Sequence, residues 1–114
     1  MEMTCTKLGN NTVKVTLTGR LDTPVADRIE KQFYASFVPG RHNAVIDLSA
    51  VDFISSMGIR MLIAGARGVR AHRARMALFG AQPLVAEVLA HVSLDQLIDI
   101  CDDEATALTA VTAW

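Results

Sequence analysis

At 114 residues the chain has room for one domain with one core. Hydrophobic residues make up 51 % and charged residues 20 %, a globular balance that excludes a disordered chain. A formal net charge of −1, with one Trp and one Tyr, argues against a basic nucleic-acid or membrane surface and against aromatic platforms for bases.

Met3–Leu8 and Thr12–Thr18 are predicted to pair as a hairpin across the turn signal Asn10-Asn11. In the second strand Val13, Val15 and Leu17 alternate with Lys14, Thr16 and Thr18, the pattern of a strand buried on one face, and Gly19 closes it. Asp22-Thr23-Pro24 starts a helix, with Asp22 or Thr23 as cap and Pro24 at the first helical position. Its apolar stripe is Val25, Ile29, Phe33 and Phe37, and Pro39-Gly40 ends it.

Ala44–Leu48 reads as a central strand buried on both faces, running into a polar turn and then a second apolar pair, Phe53-Ile54. A second helix follows from Ser56 to about Ala71, with Gly58, Met61, Leu62, Gly65, Ala66 and Val69 on its inner side. Gly65 and Gly68 each cost roughly 1 kcal/mol relative to Ala inside a helix, so a packing reason is expected, with Gly65 and Ala66 close against the sheet. Arg75–Phe79 is a short strand stopped by Gly80, and Pro83–His91 a third helix with Val85, Val88 and Leu89 inward. Ile98–Ile100 is the last strand; Asp102 or Asp103 caps a final helix carrying Ala105, Leu108 and Val111. The order β-β-α-β-α-β-α-β-α implies one α/β domain over residues 1–114, a mixed sheet covered by helices.

Cys5 and Cys101 form no CxxC pair and no disulfide framework, and read as two thiols in a reducing compartment. Met1–Cys5 holds no basic region followed by an apolar run, and no apolar stretch approaches the roughly 20 residues of a membrane helix, so a cytoplasmic protein without membrane insertion is expected. His42, His72 and His91 lack metal-ligand spacing, so no metal site is expected. No Gly-rich phosphate loop or nucleophile elbow is present, and Ser56 has no visible base partner; an enzyme is not expected. From Met57 to Met76 there is no acidic residue, while Arg60, Arg67, Arg70, Arg73 and Arg75 accumulate. That run reads as a solvated edge balanced by Asp95, Asp99, Asp102, Asp103 and Glu104, in preference to a nucleic-acid or lipid patch.

The chemistry concentrates at Ser55-Ser56, where two hydroxyls stand at a helix start. One use is capping, a serine oxygen accepting a free backbone N–H. The other is phosphorylation: a phosphate adds about −1.5 to −2 charges at the end where the helix dipole tolerates them. Met57, Arg60, Ile63, Ala64 and Arg67 share the helix face opposite the packing side, and Arg and Met suit a protein interface.

The run Val45-Ile46-Asp47-Leu48-Ser49, continuing through Val51-Asp52-Phe53-Ile54-Ser55-Ser56-Met57-Gly58-Ile59-Arg60, resembles the signature of the STAS domain, and within it the bacterial anti-sigma-factor antagonists. Gly19-Arg20-Leu21-Asp22 resembles that family's Gly-x-Leu-Asp. The resemblance covers nearly the whole chain. It implies a mixed sheet of about five strands with about four helices mostly on one face. It also implies binding, not catalysis: the unmodified antagonist holds a GHKL-type serine kinase that is also the anti-sigma factor. That kinase phosphorylates a Ser or Thr at the start of the second helix, and a serine phosphatase reverses this.

By position, the acceptor falls on Ser56, with Ser55 the alternative, and the family's loop aspartate on Asp22. The acidic residue usual before the acceptor is Ser55 here, and the small polar residue usual after it is Met57. The resemblance makes Asp22, Thr23, Ser55, Ser56, Met57, Gly58, Arg60, Ile63 and Arg67 the partner-binding surface. No cofactor is implied for this chain, since ATP would come with the kinase. The alternative is a STAS scaffold or subunit of a transport or sensory complex that is never phosphorylated.

Overall fold

Asn10 and Asn11 both adopt the left-handed conformation, φ 59° and 54°, which asparagine tolerates better than most residues. They turn the chain so that β1 (Met3–Leu8) lies antiparallel to β2 (Thr12–Leu21), Leu8 opposite Thr12 and Met3 opposite Leu17. These are features of a computed structural model, which describes residues 2–112.

Beyond the hairpin, β3 (Asn43–Ile54), β4 (Met76–Phe79) and β5 (Asp99–Cys101) join in parallel, in the spatial order β1-β2-β3-β4-β5. The strand order advances in one direction only. Right-handed crossovers therefore place α1 (Thr23–Ala35), α2 (Ser56–Arg70) and α3 (Pro83–His91) on the same face. α4 (Glu104–Thr112) follows the last strand and is free to cover the other face.

The two faces bury separate cores. On the three-helix side Val13, Val15, Leu17, Ala44, Ile46, Leu48, Met76 and Leu78 meet Ile29, Phe33, Met61, Leu62 and Leu89. On the other side Val45, Ala77 and Phe79 meet Ala107 and Val111 of α4. Lys14 reaches across that second face to Glu104, Nζ to Oε1 2.6 Å.

Gly65 shows why a glycine sits mid-helix. A Cβ there would lie 2.9 Å from Phe33 Cε2, 3.0 Å from Met76 Cε and 3.1 Å from Phe37 Cζ. The close approach is thus mainly between α2 and the aromatic residues of α1 and its following loop, more than onto the sheet as expected. Phe33 and Phe37 stack edge to face with ring centroids 5.0 Å apart.

Several boundaries differ from the sequence reading. α1 stops at Ala35, before Pro39-Gly40, and the Ser36 hydroxyl at its C-terminal cap donates back to the carbonyls of Gln32 (2.9 Å) and Phe33 (2.7 Å). Phe37 is fully buried from the loop beyond the helix. β2 does not close at Gly19 but runs on to Leu21. β4 and β5 each begin one residue later than read, at Met76 and Asp99. Val88 of α3 is 37 % exposed instead of inward, in line with Leu84 and Val92, both more exposed still. In α4 the residues facing the core are Ala107 and Val111, with Leu108 beside them, and Ala105 is exposed. Among the described residues no helix is long and apolar enough to cross a membrane, and no three His, Cys, Asp or Glu side chains group to hold a metal ion.

The candidate switch surface at the start of α2

The apparent break in β3 is the key to the site. Asn43–Ile54 is one strand, and the polar stretch read as a turn is a bulge within it. Between Thr16 and Thr18 of β2 the partner advances from Asp47 to Ala50, so β3 carries one extra residue. Asp47 Oδ1 holds that bulge by accepting from the Ser49 N–H (2.9 Å) and hydroxyl (2.7 Å). A second extra residue falls between Val51, opposite Gly19, and Phe53, opposite Arg20.

Each bulge resets the alternation of side chains by one position. Leu48, Val51 and Ile54 stay on the core side, while Phe53 turns outward at 39 % exposure. Gly19, at φ +89°, accommodates the matching distortion in β2. The Arg20 guanidinium lies 4.2 Å over the outward-facing Phe53 ring, and its Nε is 3.9 Å from Asp22 Oδ2. Sequence reading did not find this cluster: Phe53 looked like core beside Ile54, and Asp52 between Val51 and Phe53 was the only hint of the extra residue.

The ends of β2 and β3 then pass together into the helix starts. Ser55 N–H donates to the Leu21 carbonyl at 2.9 Å, so the residue after Leu21, Asp22, stands on the same rim as Ser55 and Ser56. Asp22 is the cap of α1, its Oδ1 accepting from Val25 N–H at 3.1 Å. Thr23 and Pro24 beside it are exposed.

Ser55 and Ser56 are not equivalent. Ser55 is the cap of α2, extended at φ −93° and ψ 171°, and its hydroxyl oxygen accepts from Gly58 N–H at 3.2 Å. Ser56 is the first residue of the helix, exposed, and its hydroxyl has no hydrogen bond among the described residues. Gly58 is buried against β2: a Cβ there would meet Leu21 Cγ at 2.8 Å and the Leu21 carbonyl at 3.0 Å. This contact seats the first turn of α2 on the end of β2.

The outer face of α2 is more polar than its sequence suggested. Arg60, Ala64 and Arg67 are exposed, but Met57 and Ile63 are half-buried, and Ile63 packs on the core. Arg60 Nη1 lies 3.7 Å from Met57 Sδ. Arg60 also lies near Tyr34 of α1. Burial pushes that phenol upward, Glu30 adds to the rise and Arg60 opposes it. Further along, Arg70, Arg73 and Arg75 line an open cleft of about 490 Å³ with Asp95 and Asp99, at the opposite end of α2 from Ser56. The arginine run therefore divides between α2 and the segment that follows it.

Comparisons with known proteins place the chain in a family. The model of the STAS domain matches residues 6–107, and the chain belongs to that family. BtrV of Bordetella bronchiseptica, to which an anti-sigma factor antagonist role is ascribed, is 31 % identical over 72 residues, 63 % of this chain and 62 % of that protein. The match thus spans less than two thirds of that relative's length.

Among solved structures, an anti-sigma factor antagonist fold from Thermotoga maritima superposes with a TM-score of 0.86 at 20 % identity, covering 96 % of this chain and 93 % of the other. SpoIIAA, the Bacillus cell-fate determinant, superposes in its unphosphorylated form at 0.81 with 19 % identity, covering 98 % and 97 %. Its phosphorylated form superposes at 0.71 with 17 % identity, covering 95 % and 97 %. At such identities these likenesses establish the fold: the five-stranded mixed sheet and four helices expected from the sequence are those of the family.

Proposed function

We propose that this STAS domain is an anti-sigma-factor antagonist in a partner-switching pathway, and that its contact with a serine-kinase anti-sigma factor is broken by phosphorylation at Ser56. The observation that carries this reading is the division of labour between the two serines. Ser55 is tied into the helix cap, whereas the neighbouring Ser56 is exposed with its hydroxyl uncommitted. A visiting kinase can reach the second without dismantling the helix.

The unmodified partner surface comprises Asp22, Thr23, Ser55, Ser56, Met57, Gly58, Arg60, Ile63 and Arg67. Gly58 and Ser55 hold the shape of this rim, and Arg60, Arg67 and Met57 supply its contacts. The kinase brings ATP, and a serine phosphatase returns the antagonist to its binding form. A phosphate at Ser56 introduces a dianion where a close-packed partner left no room or counter-charge for it. Loss of two hydrogen bonds together with the appearance of one charge clash amounts to a few kcal/mol, on the order of a hundredfold in affinity. The reading places the chain in the cytoplasm, without nucleic acid as a partner.

The test is to incubate the chain with the candidate kinase and ATP and to map the modified residue by mass spectrometry. Label on Ser56 is expected, and label on neither Ser55 nor Ser56 overturns the proposal. In a pull-down, Ser56→Ala retains the kinase and Ser56→Asp loses it. Equal retention by both removes charge as the mechanism.

A further inference from the structure

We infer that Arg20 is the switch's own counter-charge, held in reserve on Phe53 while Ser56 is bare and captured by the phosphate once Ser56 is modified. This inference rests on Ser56 being the acceptor. Arg20 and Phe53 are not among the residues of the proposed partner surface.

The bulged register of β3 places Arg20 opposite Phe53, three residues before the acceptor. Its guanidinium rests 4.2 Å above the ring, which fixes the side chain without engaging its N–H donors. The nearest carboxylate is only loosely bound to it. Asp22 Oδ1 is committed to the α1 cap, and Oδ2 stands 3.9 Å from Arg20 Nε, beyond hydrogen-bond length. The side chain remains 60 % exposed. Arg20 is thus pre-positioned, with most of its donors unspent, on the rim where Leu21 accepts from Ser55.

The charged groups carried by the elements that meet at this end of the sheet decide who takes Arg20. The end of β2 carries Arg20 and Asp22, and β3 carries Asp52. α2 carries Arg60, one turn beyond Ser56, and α1 carries Asp27 and Glu30, spaced with Thr23 and Tyr34 along the helix. A phosphoserine carries about −1.5 to −2 charges and three acceptor oxygens, against one charge and one uncommitted oxygen on Asp22. It therefore outcompetes Asp22 for the planar guanidinium, which it can bind in bidentate fashion. Ser55 stands where an acid would have opposed this capture. Modification then changes the rim twice, by adding a dianion and by withdrawing the cation that an acidic partner would meet.

The experiment uses the full chain with phosphoserine installed genetically at position 56, so that no kinase is needed, and follows the phosphate by 31P NMR titration. A free phosphoserine has its second pKa near 6. With Arg20 present the titration is expected about half a unit to one unit lower than in Arg20→Gln, less than a buried pair would give because the rim is exposed. Phe53→Leu, which removes the ring but not the charge, should fall between the two, and Arg20→Lys should restore only part of the shift.

Superimposable titrations with and without Arg20 overturn the inference. So does a larger loss in Arg60→Gln than in Arg20→Gln, since that would give the role to the helix's own arginine. Because the phosphoserine is encoded genetically and not added by a kinase, failure of the kinase to label Ser56 leaves this readout intact, and the two ideas fail separately.

Discussion

Ser55 Oγ accepts from Gly58 N–H at 3.2 Å, and this single contact separates two adjacent serines into a structural one and an available one. Loss of a serine cap costs about 1 kcal/mol, while an exposed position without partners lies within roughly half a kcal/mol of neutral. Ser55→Ala is therefore expected to lower the urea midpoint measurably, and Ser56→Ala to leave it almost unmoved. Equal loss in both variants would remove the distinction on which the acceptor assignment rests. The comparison needs no partner protein, only the purified chain and a fluorescence or circular-dichroism melt.

Gly65 of α2 faces Phe33 of α1 with no space for a side chain between them, and this packing opposes ordinary helix propensity. On propensity alone Gly65→Ala would stabilise α2 by about 1 kcal/mol. The added Cβ would stand 2.9 Å from a ring that is itself fully buried and locked against Phe37, so the ring has no room to give way. Overpacking of this kind costs about 1–3 kcal/mol, and the expected net result is destabilisation. A midpoint of denaturation above wild type would show that α1 and α2 can separate more freely than their packing implies.

Most of this fold could be read from residues because its signals are local and mutually consistent. Alternating Val13, Val15 and Leu17, a cap at Asp22 or Thr23, a helix start at Ser55-Ser56, the Pro83 helix start and the element order each followed from periodicity or stereochemistry. What escaped was non-local. The Asp47–Ser49 bulge looks like a turn in sequence, because its hydrogen bonds are those of a turn; only pairing with β2 on both sides shows that the strand continues. The second bulge hid the Arg20–Phe53 stack for the same reason, since strict alternation would have buried Phe53. α1 ended at Ala35, with Ser36 as its cap and Phe37 buried from the loop beyond, an end that an apolar stripe running through Phe37 does not report.

The two thiols, equal in sequence, are unequal in place. Cys5 is exposed on β1, whereas Cys101 is half-buried at the end of β5. Burial is the main cause that pushes the Cys101 thiol up, with the charges of Asp99, Asp102 and Asp103 adding to it. Since the thiolate is the nucleophile, iodoacetamide at neutral pH is expected to label Cys5 well before Cys101. Raising the pH should bring Cys101 forward. Equal labelling rates at neutral pH would mean that the α4 side of the sheet opens more often than its packing suggests.

Lys14 ties the start of α4 to the outer face of the sheet, and the tie has a pH signature. Its Nζ donates to Glu104 Oε1 at 2.6 Å, and chiefly through that hydrogen bond its pKa is raised above 10.5, with burial opposing and Asp47 assisting. Lysine in the unfolded chain has no such partner, so the folded state holds the proton more tightly. The stabilisation is fully present below the unfolded pKa and is lost as the pH rises through the higher folded value. Lys14→Met keeps the apolar stem over Phe79, whose ring centroid lies 5.9 Å from the ammonium, and removes only the charge. The variant should be less stable than wild type by a margin that is constant from about pH 7 to 9 and narrows above 10.5. Because the pair is partly exposed, added salt should shrink the same margin at pH 7. A gap that does not change with alkaline pH would assign the effect of the substitution to packing, and would take from Glu104 its part in holding α4 on the sheet.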